Sequence, residues 1–279
     1  MRKTVGLSHK PKAQNMYSGT TFHHKSGNVL GVHQKINKVA HRLTAEKTTS
    51  FFPSLKNIQH FEGKNGPDGI KRKNPGADEP WHFIDPKDPT DNELLEHIRH
   101  HQENLAHALV ENDEQRAAFE AAWLAHSIVD GLTPAHHFPL EEHLEEVRGE
   151  PKETRDTVRK KLIISGDSKR QKIKNNWDFW GAKGVMTSHV LFELGVASAI
   201  TPLRASKLTL SNEDMRWLEK DGFVKVFLKS LEEISNLHMY ETFTHWGWTP
   251  TLARQTKNEL IPIIIKTVAF AWLESTRKD

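Results

Sequence analysis

The stretch Ala125-His126-Ser127-Ile128-Val129-Asp130-Gly131-Leu132-Thr133-Pro134-Ala135-His136-His137 restricts this chain more than any other. It closes a run from Glu114 to Asp130 that holds helical apolar spacing without a glycine or proline. On such a helix His126 and Asp130, four residues apart, stand one turn above the other on the same face. Gly131 and Pro134 then end the helix, and the turn brings His136 or His137 back toward that face. Imidazole, carboxylate and imidazole delivered so close together form a donor set that suits zinc. The competing reading is chance spacing in a chain that holds 18 histidines.

The chain has no cysteine, which excludes disulfides and thiolate sites, so any metal must be held by His, Asp, Glu or main-chain groups. Its 279 residues suffice to bury a sizeable core. No run reaches the roughly 18 apolar residues of a spanning helix; the closest, Leu260 to Leu273, is broken by Pro262, Lys266 and Thr267. Met1 to Gly27 is polar and basic rather than signal-like, which leads us to expect a flexible basic tail over 1–27 and a cytoplasmic protein. That tail holds Arg2, Lys3, Lys10, Lys12 and Lys25 without an acid, so it carries +5 of a net +3 and leaves −2 for the rest. A second basic block lies between Lys152 and Lys174. Each block suits phosphates of nucleic acid or an anionic membrane surface; a solvated tail and helix face is the plain alternative.

Helical periodicity runs through the remainder. Ile36, Val39, Ala40 and Leu43 share a face after Gly31, and Asp91 is placed to cap a helix carrying Leu94, Leu95, Ile98, Leu105 and Leu109. Residues 50–90 read as a long loop, whose Phe51, Phe52, Phe61, Trp81 and Phe83 require it to pack. Shorter helices are expected over 141–148 and 152–164. A long one covers 171–200 with a break at Gly181 and Gly184, and another starts at Ser211, where Ser211 and the following acids suit a cap. Strand-like alternation, phosphate-binding glycine loops and internal repeats are all missing. The expected fold is all-α: a tail over 1–27 and one helical-bundle domain over 28–279.

Further metal-binding residue types stand at telling positions. His189-Val190-Leu191-Phe192-Glu193 repeats the helical His-x3-acid spacing on an apolar helix, where unpaired ionisable groups would be costly. His82 lies between Trp81 and Phe83 in a proline-bounded segment, Asp68 sits in a turn fourteen residues earlier, and His33 opens a helix. Read singly, Asp68 is an ordinary turn acid, His33 a capping or surface histidine, and His189 with Glu193 a buried hydrogen-bonded pair.

Taken in order, His33, Asp68, His82, His126-x3-Asp130-x5-His136 and His189-x3-Glu193 resemble the zinc-dependent phospholipase C family and its relatives, the zinc-dependent single-strand nucleases. The likeness spans residues 31–195 and selects His136 over His137. It implies a helical bundle around a multi-zinc cleft. One ion would take Asp68, His82, His126 and Asp130, a second His136, His189 and Glu193, and a third His33 with a share of Asp130. It further implies a zinc-activated water attacking a phosphodiester, with Asp68 orienting that water or taking its proton. Acids beyond the ligands should fix the imidazole tautomers, with Asp85 and Glu142 as the candidates.

Two departures stand out. The family's third zinc is completed by an N-terminal Trp, and none precedes His33 here, so either two ions are expected or His23, His24 or Asn28 completes a third. The nucleases continue their central motif with Gly-Gly-Asn, whereas this chain has Phe138-Pro139-Leu140. The leading expectation is therefore a phospholipase C-like phosphodiesterase acting on a phospholipid or another phosphodiester. A zinc-dependent nuclease on single-stranded nucleic acid and a metal-stabilised helical protein without catalysis are the alternatives.

Overall fold

The computed structural model of the chain describes residues 31–62, 65–67, 82–137, 163–200 and 207–277, with scattered positions between 145 and 160. Among these the protein is all-α, without strands. The basic segment 1–27, Asp68, Trp81, Glu142 and most of the helices expected over 141–164 lie outside the described residues.

Two helices at the centre determine the rest. Helix α4 (Glu114–Gly131) buries Ala117, Ala118, Ala121, Ala122 and Ala125, and these small side chains let neighbouring helices approach closely. Its N-terminus is capped by Asp113, which accepts from the Arg116 amide at 2.9 Å. Helix α10 (Ile261–Ser275) is apolar nearly all round and correspondingly buried. Where the two meet, the fully buried Trp272 donates its indole N–H to the Ala121 carbonyl at 3.0 Å, so its one polar atom is satisfied in the core. Around this pair pack α1 (Val32–Ala45), α2 (Leu55–Glu62) and α3 (Glu93–Val110). Helix α7 (Asn212–Ser235) lies against α10, and its buried Ser230 hydrogen-bonds Thr267 across the contact.

Helices α5 (Lys169–Trp180) and α6 (Val185–Ile200) are separated by the expected break at Gly181 and Gly184. Helix α6 then meets α1, α8 (Met239–Trp246), α9 (Pro250–Gln255) and the π-turn Thr256–Leu260 that joins α9 to α10. Gly195 is required here: a Cβ at that position would stand 2.2 Å from the Trp248 ring. The cap expected at Ser211 forms, and it does so as a capping box, Ser211 and Asp214 each accepting the other's amide. Within α7 the helix is interrupted at Gly222, whose φ of 72° favours glycine.

Two expectations are corrected. Residues 50–90 are not one loop, because α2 runs through them; its apolar period, Leu55 and Ile58, ends on an acid, Glu62. Asp91 does not cap α3: Asn92 holds the cap position, and the Asp91 carboxylate instead accepts from the Asp85 amide at 2.7 Å. Among the described residues no helix is long and apolar enough to cross a membrane.

Candidate metal centre

The end of α4 builds the site as its spacing requires. His126 and Asp130 project from one face, with Nε2 of His126 at 3.1 Å from Asp130 Oδ2. The helix ends at Gly131; Thr133 and a single 3-10 turn, Pro134–His136, then reverse the chain. His136 is locked there by a clip to the segment after His82. Its Nδ1–H donates to the His82 carbonyl at 3.1 Å, and the Ile84 amide donates to the His136 carbonyl, also at 3.1 Å. Phe83 stacks on the His136 ring at 5.1 Å, closing one side to water.

His33, at the start of α1, reaches the same carboxylate from across the bundle, with Nε2 at 3.2 Å from Asp130 Oδ1. On α6, His189 and Glu193 stand one turn apart, and the Glu193 Oε1 lies 3.3 Å from His189 Nε2 and 3.2 Å from His136 Nε2. Three groups result, each with its ligand atoms within 4.8 Å of one another: His33, His126 and Asp130; His82, Asp130 and His136; His136, His189 and Glu193. Asp130 belongs to two of them and His136 to two, so seven side chains from α1, α4, α6 and two turns form one continuous train.

Seven of the eight expected ligands are thus brought together, and the eighth, Asp68, is outside the described residues. The grouping differs from the one the resemblance implies: His126 pairs with His33, and His82 pairs with His136. His137 is excluded from the site. Its Nε2 donates to the Gly131 carbonyl at 3.0 Å, and burial holds its pKa down at about 4, so it is a neutral structural histidine.

The residue that sequence reasoning missed is Glu62. It is fully buried at the end of α2, and Asn37 donates to its Oε2 at 3.0 Å. Its Oε1 accepts from Nδ1 of His126 at 3.1 Å and lies 3.2 Å from Nδ1 of His33. Expected helpers are replaced: the Asp85 side chain accepts from the Lys87 amide within its own turn, and Glu142 is outside the described residues.

The electrostatics follow from this tautomer. With its Nδ1–H turned to Glu62, His126 presents an Nε2 lone pair to an Asp130 oxygen, and two acceptors at that distance repel unless a proton or a cation lies between them. Nε2 of His126 is buried without a hydrogen bond despite the adjacent carboxylate. A tetrahedral ion held at ~2.0–2.1 Å spaces its ligand atoms ~3.3 Å apart. The 3.1–3.3 Å separations here match that edge. The residues therefore fit a metal ion.

In the metal-free protein a proton fills the gap. Burial alone would lower His126 and His33, but the charge of Asp130 and the hydrogen bonds to Asp130 and Glu62 together outweigh it, raising His126 to about 9 and His33 well above its ordinary value. Burial likewise opposes ionisation of Glu62, yet its imidazole partners bring it down to about 2. At the α6 end the same balance raises His189 and lowers Glu193, with burial opposing both shifts. Tyr240, on α8, is pushed up to about 12 by burial and then by the Glu193 charge, so it stays a phenol facing that end of the site.

The train is graded in exposure. His33, His126 and Asp130 are buried, whereas the side chains of His189 and Glu193 are 12% and 25% exposed. No family model, curated protein or solved structure matches the chain, so the site's geometry carries the functional argument.

Proposed function

We propose that this chain is a zinc-dependent phosphodiester hydrolase of phospholipase C type. The observation that carries the reading is the shared carboxylate: Asp130 stands between two histidine pairs, and His136 continues the train to Glu193. Contiguous sites of this kind suit several ions acting together on one phosphate, and isolated structural sites have no need of them. Imidazole and carboxylate donors without a thiolate favour zinc over ions that prefer all-oxygen shells. The order of these residues in the chain, which resembles that family's motif order, supports the same reading.

Bound zinc would neutralise a phosphodiester and supply a nucleophile from water at neutral pH. The chain's own residues divide the remaining work. Glu62 and the backbone carbonyls of His82 and Ala135 hold the imidazoles in one tautomer, each turned toward its carboxylate. Phe83 keeps water from one face of His136. Substrate approaches the half-open end at His189 and Glu193, where the Tyr240 hydroxyl stays protonated and is available to donate to a phosphate oxygen. Asp68 receives no step, since it is outside the described residues.

The buried His33–His126–Asp130 end favours a second reading in part: an ion there would brace α1, α2 and α4 whether or not catalysis occurs. The test is metal analysis of the purified chain followed by hydrolysis of a chromogenic phosphodiester with and without chelator. Phosphatidylcholine and single-stranded DNA are then compared as substrates. Cleavage of the lipid supports the proposal, and cleavage of DNA alone transfers it to the nuclease class. Metal bound without cleavage of any substrate leaves the bracing role and defeats the hydrolase reading.

A further inference from the structure

Helix α5 has two apolar faces, and the fold uses one. Phe179 and Asn175 point inward, Phe179 packing with Ile164 in a small cluster that includes Val185 and Met186. On the opposite side Ile173, Trp177 and Trp180 follow one another at i, i+4 and i+7, which is a single stripe on a helix. Ile173 is 72% exposed and Trp177 is 69% exposed. Burying such side chains would be worth as much as burying core residues, yet among the described residues nothing covers Ile173 or Trp177.

The stripe is built rather than frayed. Asn176 bonds both backbone groups of Ile164, accepting at 3.0 Å and donating at 2.7 Å, while Asn175 donates to the Ser165 carbonyl at 2.7 Å. These clamps set Ile163 beside the helix, where it lines an open groove of about 410 Å³ with Ile173, Trp177, Trp180 and Lys172. Gly181 ends the helix against Trp177; a Cβ there would meet the Trp177 carbonyl at 2.4 Å.

Cations frame the stripe. By helical position Lys169 and Lys172 fall on one edge and Arg170 and Lys174 on the other. None of the four forms an ion pair among the described residues. Asp167 and Asp178 are the acids of this segment.

We propose that α5 is a docking helix for an anionic lipid surface: Ile163, Ile173, Trp177 and Trp180 enter the headgroup–acyl boundary, and the four flanking cations meet lipid phosphates. Aliphatic and indole side chains in one stripe, edged by Lys and Arg, are the composition of helices that lie in a membrane interface. A single-stranded nucleic acid would use the tryptophans for stacking and would leave the isoleucines without a role. The inference rests on α5 alone and stands or falls separately from the metal centre.

The full chain is titrated with vesicles of phosphatidylcholine alone and of equimolar phosphatidylcholine and phosphatidylglycerol, reading co-sedimentation and tryptophan emission, with oligothymidylate in parallel. Binding to the anionic vesicles with a blue-shifted emission is expected, weakening as salt rises. Ile173→Ser with Trp177→Ser should lose at least about tenfold. Neutralising Lys169, Arg170 and Lys174 to Gln should cost on the order of a hundredfold on anionic vesicles, at roughly fivefold per cation. Both variants should keep wild-type far-UV circular dichroism and metal content. Absence of vesicle binding overturns the proposal, as does vesicle binding unchanged in the serine variant. Oligothymidylate bound in place of vesicles, and lost in these variants, overturns it in favour of nucleic acid.

Discussion

Glu62 holds Nδ1 of His126 at 3.1 Å across 64 residues of sequence, and the same oxygen faces Nδ1 of His33 at 3.2 Å. One carboxylate from α2 thereby sets the orientation of two imidazoles, from α4 and α1, that converge on Asp130. Removing it should be costly on two counts. Glu62→Ala leaves two buried imidazoles without their partner, at about 3–5 kcal/mol of stability in the metal-free protein. It should also weaken metal binding by about 10–100-fold. Thermal unfolding of the apo protein and a zinc titration against a competing chelator check the two parts. Glu62→Gln, which keeps the volume, should retain more stability while still losing affinity.

Asp130 and His189 should differ in how many ions they hold. Asp130 serves two of the three groups and His189 only one. His189→Ala is expected to lose one ion with the helix content retained, whereas Asp130→Asn should lose more and deplete the buried end. Metal analysis by mass spectrometry beside circular dichroism decides it; equal losses in the two variants would contradict the shared-carboxylate geometry.

Metal binding should release protons and strengthen with pH. In the metal-free protein His126 titrates at about 9 and His33 is raised in the same direction, so both carry a proton at neutral pH that an ion must displace. Calorimetry in buffers of different ionisation heats should register at least about one proton released per ion at pH 7. The sign for apo stability is opposite. A histidine raised from about 6.5 stabilises fully below that value, and the contribution fades as pH rises through about 9. Glu62, lowered to about 2, stabilises above its ordinary value of 4.5 and fades as pH falls through about 2. From this network the apo protein should be most stable between about pH 4.5 and 6.5, and the zinc-induced rise in Tm should grow from pH 6 to pH 9.

Gly195 offers a packing test two residues beyond Glu193. An alanine there would drive its Cβ to 2.2 Å from the Trp248 ring, which is stacked edge-on against Phe192. Gly195→Ala should cost about 1–3 kcal/mol in denaturant unfolding, as overpacking does. A neutral or stabilising result would mean that Trp248 moves aside freely.

Tyr240 tests which end of the train is open to substrate. Tyr240→Phe removes the hydroxyl near Glu193 without touching a ligand, so metal content should be unchanged and the rate on a chromogenic phosphodiester should fall by about tenfold. Loss of metal in this variant would instead assign the tyrosine a supporting part.

The sequence by itself determined most of the elements and most of the donors. The unbroken period from Glu114 to Asp130, the glycines that divide α5 from α6, and the Ser211–Asp214 box are local signals, decided by each residue's own backbone preference and near neighbours. His126 with Asp130 and His189 with Glu193 were legible for the same reason, since four residues on a helix fix which side chains share a face. The pairing of these donors was not. Whether His33 joins His126, and His82 joins His136, depends on how α1, α4 and the Ile84–His136 clip pack in space, and no spacing along the chain encodes it. Glu62 was hidden more deeply. An acid at an apolar position of a short helix reads as the end of a pattern, and only the tertiary structure places two imidazoles and Asn37 around it and makes its burial affordable.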